Sequence, residues 1–219
     1  LANIADDHVM QDAFISGMDI HTVTASQVFG VPTEQVTAIQ RRHAKAVNFG
    51  IVYGISEFSL AEDIGVSRYE AKAYIDSYLA NYSGVRDYMK RVVEDAREIG
   101  YTQTMYGRRR YIPDLKSSNF NIRQGAERIA LNTPIQGTAA EILKLAMREL
   151  LKELKNKPYI RPLLQIHDEL LFEVDDGHEE EAIAIIKTAM ERRPFAAFDV
   201  PIVAEGEHGA RFGKLEGLE

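Results

Sequence analysis

At 219 residues, 45% hydrophobic and with a formal charge of −7, the chain can bury a substantial core in one large domain or two small ones, and its acidic sum weighs mildly against nucleic-acid binding. The absence of cysteine excludes a disulfide framework and a thiolate metal site. No apolar run approaches the roughly 18 residues of a membrane span, and the opening LANIADDHVMQD lacks a signal-peptide layout, so a cytoplasmic protein without a membrane partner is expected.

Asp6 to Ser16 reads as a short helix ended by Gly17, and Asp19 or Thr22 caps a second helix through Phe29. Thr33, followed by Gln35-Val36, opens a long helix that Gly54 terminates. Ser56 to Ile64 is a further short helix. Ser67 begins SRYE, a capping-box pattern leading a helix through Ala80, and Tyr74, Tyr78 and Tyr82 repeat at four as packing residues. Gly84 starts a helix running to Glu98. Tyr101–Met105 and Arg109–Ile112 then form a hairpin around Tyr106-Gly107. Asn121 to Leu154 is helical in two pieces, interrupted near Thr133-Pro134. Leu163–His167 and Leu170–Val174 flank a tight turn, Glu179–Arg192 is an amphipathic helix, and Val200–Glu205 is a final strand. The expected class is α+β. A helical part from about residue 19 to 100 is inserted into a part built on a small antiparallel sheet packed against long helices, which the first residues join.

Within the long helix, Arg41, Lys45, Phe49 and Tyr53 are four apart and share one face. Two cations followed by two rings span roughly 18 Å, a length that suits a nucleotide with phosphates on the cations and sugar and base on the rings. The same residues read equally as two packed aromatics and two solvated cations. His21 reaches a phosphate only if its helix start lies beside the stripe.

Two other segments carry polar groups in patterned settings. LLQIHDELLFEV places His167, Asp168 and Glu169 between apolar runs at a hairpin tip, where rigid strands suit a carboxylate to a hard cation such as Mg2+; a structural turn has the same composition. Arg128, Asn132 and Gln136 again lie four apart, as readers of base edges and sugars or as a solvent face. Arg108, Arg109 and Arg110 form a basic patch, so a positive surface on an acidic chain is expected, with acid concentrated from Glu173 to Glu181.

Taken in order, these segments resemble the fingers and palm of a family A DNA polymerase of the bacterial DNA polymerase I type. RRHAKAVNFGIVYG resembles motif B, QIHDE resembles motif C, and DIHTVTA, YGRRRYIPD and NTPIQGTAAEI resemble further family segments in the right sequence order. The resemblance implies that His21, Arg41 and Lys45 bind the triphosphate of an incoming deoxynucleotide, with Lys45 also serving catalysis. It implies that Phe49 lies against the sugar and that Tyr53 sits at the insertion site by the templating base. Asp168 is implied as the metal-binding catalytic carboxylate, with Glu169 an accessory acid. Arg128, Asn132, Gln136 and His167 are implied contacts to primer-template DNA.

Residues 1–18 are then a palm segment, 19–100 the fingers, and 101–219 the remainder of fingers and palm with the catalytic hairpin. Motif A, which carries a second catalytic aspartate, is expected just upstream of Leu1, because LANIADD looks like the segment that follows it. The implied activity is template-directed addition of deoxynucleotides to a primer 3′ end by two-metal phosphoryl transfer. The second carboxylate would come from the rest of the polymerase chain or a companion polypeptide, leaving the isolated chain inactive. The alternative is a non-catalytic nucleotide- or nucleic-acid-binding module.

Overall fold

The computed structural model describes residues 1–217 and divides into two compact units, one ending at Thr138 and the other starting at Ala139. In the first unit, α1 (Ala2–Ala5), α2 (His8–Ile15), α3 (Ile20–Phe29), α4 (Ala38–Val52), α5 (Glu57–Ile64), α6 (Arg68–Asn81) and α7 (Ser83–Ile99) precede a hairpin of β1 (Tyr101–Gln103) and β2 (Arg109–Tyr111). Helix α8 (Phe120–Glu153) begins in the first unit and ends in the second. The second unit continues with β3 (Ile160–Ile166), β4 (Glu169–Val174), α9 (Glu179–Met190), β5 (Glu207–Arg211) and β6 (Lys214–Gly217). The class is α+β, as expected.

Helix starts follow local chemistry. Asp19 caps α3 by accepting from the Thr22 amide at 3.1 Å, and Ser67 with Glu70 forms a reciprocal capping box at α6. Asp7, only 3% exposed, serves two helices: one oxygen accepts from Met10 N at the start of α2, the other from Val85 N at the start of α7. A Cβ at residue 84 would stand 2.9 Å from the Asp7 Cα, so glycine is what lets α7 begin against that carboxylate. The tyrosine repeat is packing: the rings of Tyr78 and Tyr82 are buried 4.7 Å apart, and Tyr74 meets Phe29 edge-on at 5.0 Å.

Three expectations need correction. Thr33 does not open the long helix. Thr33–Gln35 is a single 3-10 turn whose threonine hydroxyl donates to Glu34, whereas Thr37 makes the capping box with Gln40 and starts α4. Second, α8 is continuous through Pro134. Proline has no N–H to offer the carbonyl four residues back. That carbonyl, on Ala130, accepts from the Thr102 hydroxyl at 3.4 Å, and the neighbouring Leu131 carbonyl accepts from the Tyr88 hydroxyl at 3.1 Å. The freed backbone is therefore satisfied by side chains from α7 and β1, and no break is needed. Third, Val200–Glu205 is not a strand: Pro201 cannot donate to a ladder and Val203 is exposed, while the pairing falls later, Glu207 with Gly217 and Arg211 with Lys214.

The first unit's hairpin is fastened to α8. Ala96, Ile112, Leu115, Ala126 and Ala130 form a buried cluster, and Thr138 Oγ1 accepts from the Met105 amide at 3.0 Å. In the second unit β3 and β4 pair antiparallel from Ile160–Val174 to Ile166–Glu169, with a register shift between Pro162 and Leu164. Their inner face (Ile160, Leu170, Phe172, Val174) packs on Leu150 and Leu154 and on Ala182 and Ala189 of α9. Arg161 braces the base of this hairpin by donating to Glu173 at 2.9 Å and to Asp175 at 2.6 Å.

Candidate functional site

Helix α4 is two-faced. Ala44, Val47, Gly50 and Ile51 are buried on one side, and Arg41, Lys45, Phe49 and Tyr53 are all exposed on the other. Phe49 is 50% and Tyr53 51% exposed, so neither ring is a core residue. An exposed pair of rings in line with two cations offers π faces and positive charge to a ligand along one helix. Among the described residues, no helix is long and apolar enough to cross a membrane.

The start of α3 lies against this stripe. Asp19 accepts from Arg41 through Nε at 2.6 Å and Nη2 at 3.1 Å, while its second role as helix cap brings the Thr22 hydroxyl to it at 2.5 Å. These bonds, the Arg41 fork foremost, hold the Asp19 carboxyl well below the usual carboxylate range. The fork's Nη1 end stays clear of Asp19. His21, half-buried, has its ring centroid 5.9 Å from Phe49, and the Lys45 ammonium stands 5.9 Å from the same ring. Burial lowers the His21 pKa below its ordinary 6.5; the charges of Arg41 and Lys45 act in the same direction and Asp19 opposes them. This favours the neutral form of the His21 imidazole. The condition set by the sequence, a helix start beside the stripe, is met.

At the other end, α4 closes on Tyr53, and Gly54 takes a φ of +66° that leads the chain away. Here the second polar series from α8 arrives. Gln136 Nε2 donates to the Tyr53 hydroxyl at 2.9 Å, and Asn132 Nδ2 donates to the Val52 carbonyl at 3.4 Å. The aliphatic stem of Arg128 runs past Gly54, where a Cβ would come within 3.2 Å of its Cγ. Phe49, Tyr53, Ile55, Ser59, Asp63 and Arg128 line an open cleft of about 390 Å³. His21, Arg41, Lys45, Phe49, Tyr53, Arg128, Asn132 and Gln136 are thus brought together in the first unit. On the β1–β2 hairpin, Arg109 lies over the Tyr101 ring at 4.6 Å and Arg110 donates to Thr133 at 3.4 Å.

His167, Asp168 and Glu169 belong to the second unit. His167 and Asp168 form the two-residue turn between β3 and β4, with His167 at a φ of +55°, and Glu169 opens β4 opposite Ile166. All three are exposed. The Gln165 side chain donates to the His167 carbonyl at 3.1 Å, but among the described residues neither the Asp168 nor the Glu169 carboxylate has an internal partner. Asp168 is suited to act as one hard oxygen donor to Mg2+. A complete set is not present, because among the described residues no three His, Asp or Glu side chains gather to hold a metal ion.

Sequence reasoning did not find the layer behind the stripe. Asp19 was legible as a helix cap but not as the partner of Arg41, Tyr82 was read as packing alone, and Asn48 and Thr24 were not singled out. The available signal was Asn48 itself, an amide three residues after Lys45 on the inner edge of an otherwise apolar helix face.

Comparison with known proteins gives concordant matches. The profile described as DNA polymerase family A matches residues 1–214. DNA polymerase I of Streptococcus pneumoniae serotype 4 (strain ATCC BAA-334 / TIGR4) is 49% identical over 212 residues, covering 96% of this chain and 24% of that protein. DNA polymerase I of Bacillus subtilis (strain 168) is 49% identical over 210 residues, covering 95% of this chain and 24% of the relative. The chain thus spans about a quarter of the length of the curated relatives it matches. Among solved structures, the POL domain of Pol1 from M. smegmatis in complex with DNA primer-template and dNTP superposes with a TM-score of 0.85 at 44% identity, over 91% of this chain and 35% of that one.

Proposed function

The chain belongs to DNA polymerase family A, and from that premise we propose that it is the nucleotide- and DNA-handling part of a cytoplasmic, template-directed DNA polymerase. Residues 19–100 form the fingers, and 1–18 with 101–219 supply the remainder of fingers and palm. The observation that carries this reading is the exposed row on α4, in which Arg41, Lys45, Phe49 and Tyr53 line up with His21 beside them. The relative solved with primer-template and dNTP supports the same partners for this chain.

In this reading His21, Arg41 and Lys45 hold the triphosphate, the fork and the ammonium neutralising charge that builds on its oxygens. Phe49 lies against the sugar. Tyr53, held by Gln136, flanks the templating base, and Arg128, Asn132, Gln136 and His167 contact the primer-template. Asp168 holds Mg2+ together with a second carboxylate from outside the described residues, and Glu169 assists as an accessory acid. When bound, Mg2+ supplies Lewis-acid neutralisation of the phosphoryl oxygens. Catalysis beyond that is positioning, and the isolated 219-residue chain binds nucleotide weakly and extends primers little or not at all.

Lys45→Ala in the intact polymerase tests the reading. The expected result is a large loss of nucleotide use at nearly unchanged primer-template affinity. Equal losses in both would overturn the assignment of the stripe. Robust single-turnover extension by the isolated chain with Mg2+ would overturn its dependence on an outside carboxylate.

A further inference from the structure

His21 is not positioned by its own helix alone. Its Nδ1 lies 3.1 Å from Asn48 Nδ2, and Thr24 Oγ1 meets both ends of that amide, donating to Oδ1 at 3.2 Å and accepting from Nδ2 at 3.1 Å. Thr24 Oγ1 in turn lies 3.1 Å from the Tyr82 hydroxyl. Thr24 and Tyr82 are both 0% exposed, so the series Tyr82–Thr24–Asn48–His21 runs from the dry interior at the α6–α7 junction, through α3 and α4, out to the stripe. Among the described residues His21 Nε2 has no partner.

Phosphate oxygens only accept hydrogen bonds. A neutral imidazole serves them through whichever nitrogen carries its single hydrogen, and that is set by the bond the other nitrogen makes. We propose that Asn48 is a positioning residue: by donating from Nδ2 to His21 Nδ1 it fixes the Nε2–H tautomer, and so gives His21 a donor for the triphosphate of the incoming nucleotide. The opposite amide orientation would draw Nδ1–H onto Oδ1 and leave Nε2 a bare acceptor, repelled by the same phosphate. Burial and the two stripe cations favour the neutral ring, which is the state in which the tautomer matters. The anchoring through Thr24 and Tyr82 costs no mobile groups at the surface, because both hydroxyls are already packed. The donation to phosphate rests on the nucleotide reading above; the tautomer assignment does not.

The test joins spectroscopy without nucleotide to kinetics with it. In protein labelled with ring-15N histidine, with His21→Gln identifying the resonance among the six histidines, wild-type His21 at slightly alkaline pH is expected to be protonated at Nε2 and bare at Nδ1. Asn48→Asp is expected to invert this, since a carboxylate can only accept from Nδ1–H. Asn48→Leu, close to isosteric and without hydrogen bonds, is expected to give a mixture. In the intact polymerase Asn48→Leu should raise the nucleotide KM roughly tenfold, the low end of what losing an orienting partner does to a functional histidine, with kcat and primer-template affinity little changed. An unchanged thermal midpoint for Asn48→Leu ties those effects to His21 rather than to folding. A wild-type ring protonated at Nδ1, or a tautomer indifferent to Asn48→Leu, would overturn the proposal. If the spectra come out as expected but neither Asn48→Leu nor His21→Gln moves the nucleotide KM, the donation to phosphate is overturned and the tautomer assignment stands.

Discussion

The exposed row on α4 and the turn between β3 and β4 both hold polar groups out to solvent, and they are built differently. Behind the row stands a second set of side chains: Asp19 on Arg41, Asn48 on His21, Gln136 on Tyr53. Behind the turn, among the described residues, a single side chain supports the backbone, Gln165 donating to the His167 carbonyl. Asp168 is aimed by the antiparallel ladder and by the left-handed residue before it, and its carboxylate touches no other side chain among the described residues. A group that must recognise one ligand shape repeatedly gains from side chains whose rotamers are locked in advance. A carboxylate awaiting a cation gains from staying unpaired, since an internal cation would compete with the metal. The two regions therefore differ in what a side-chain substitution should do: at the Asp168 carboxylate, function changes without stability; behind the row, the two change together or through a partner.

The largest expected effect lies at the turn. Asp168→Asn in the intact polymerase should lower kcat about 10³-fold or more, the scale of several kcal/mol of charge stabilisation, with no change in thermal midpoint. A marked loss of stability would break the contrast by showing that Asp168 is braced after all. Next comes the backbone that aims it. His167→Val should cost about 1–2 kcal/mol in denaturant unfolding, because a β-branched residue resists the left-handed region, whereas His167→Asn should be close to neutral. If valine is tolerated, the turn is not held by that conformation.

A smaller effect is expected where α8 meets α4. Gln136→Leu removes the donor to the Tyr53 hydroxyl and should lower nucleotide insertion efficiency about two- to tenfold, the equivalent of one hydrogen bond. Tyr53→Phe should act similarly, and the double variant should lose little more than either alone. Additive losses would mean the two side chains work separately and that this end of the row is not braced.

Much of this arrangement was legible because its causes are local. A capping box needs only Ser67 and Glu70, and Gly54 ends α4 because its own φ is positive. The four-residue spacing of the row and the apolar flanks of the turn are likewise properties of short segments. The unread parts have distant causes. α8 passes Pro134 because hydroxyls 28 and 43 residues earlier in the chain satisfy its carbonyls. The start of α4 is the exception: Thr33 and Thr37 are the same residue type, and the Gln40 that decides between them is only three residues from Thr37, as local a cause as Glu70 is for Ser67. Asp19 lies 22 positions before its arginine and His21 lies 27 before Asn48, so the bracing layer exists only once α3 and α4 are packed.

The smallest effect concerns Asp19 and follows a defined sign. Its carboxyl is held below the usual 3.8, first by the Arg41 fork, so the charged form is favoured in the folded state. A carboxylate lowered in this way contributes stability that is fully present above its unfolded pKa and is lost as pH falls through the folded one. Asn is as good a helix cap as Asp, so Asp19→Asn removes the charge pair and keeps the start of α3. The side chains of Arg41 and Asp19 are 48% and 39% exposed, and water and salt weaken the pair. The expected outcome is a small deficit in unfolding stability for Asp19→Asn at neutral pH, reduced by added salt and closing below pH 3.8 as wild type protonates. No deficit at any pH would show that Asp19 acts through its cap alone, and would remove Arg41 from the braced members of the row.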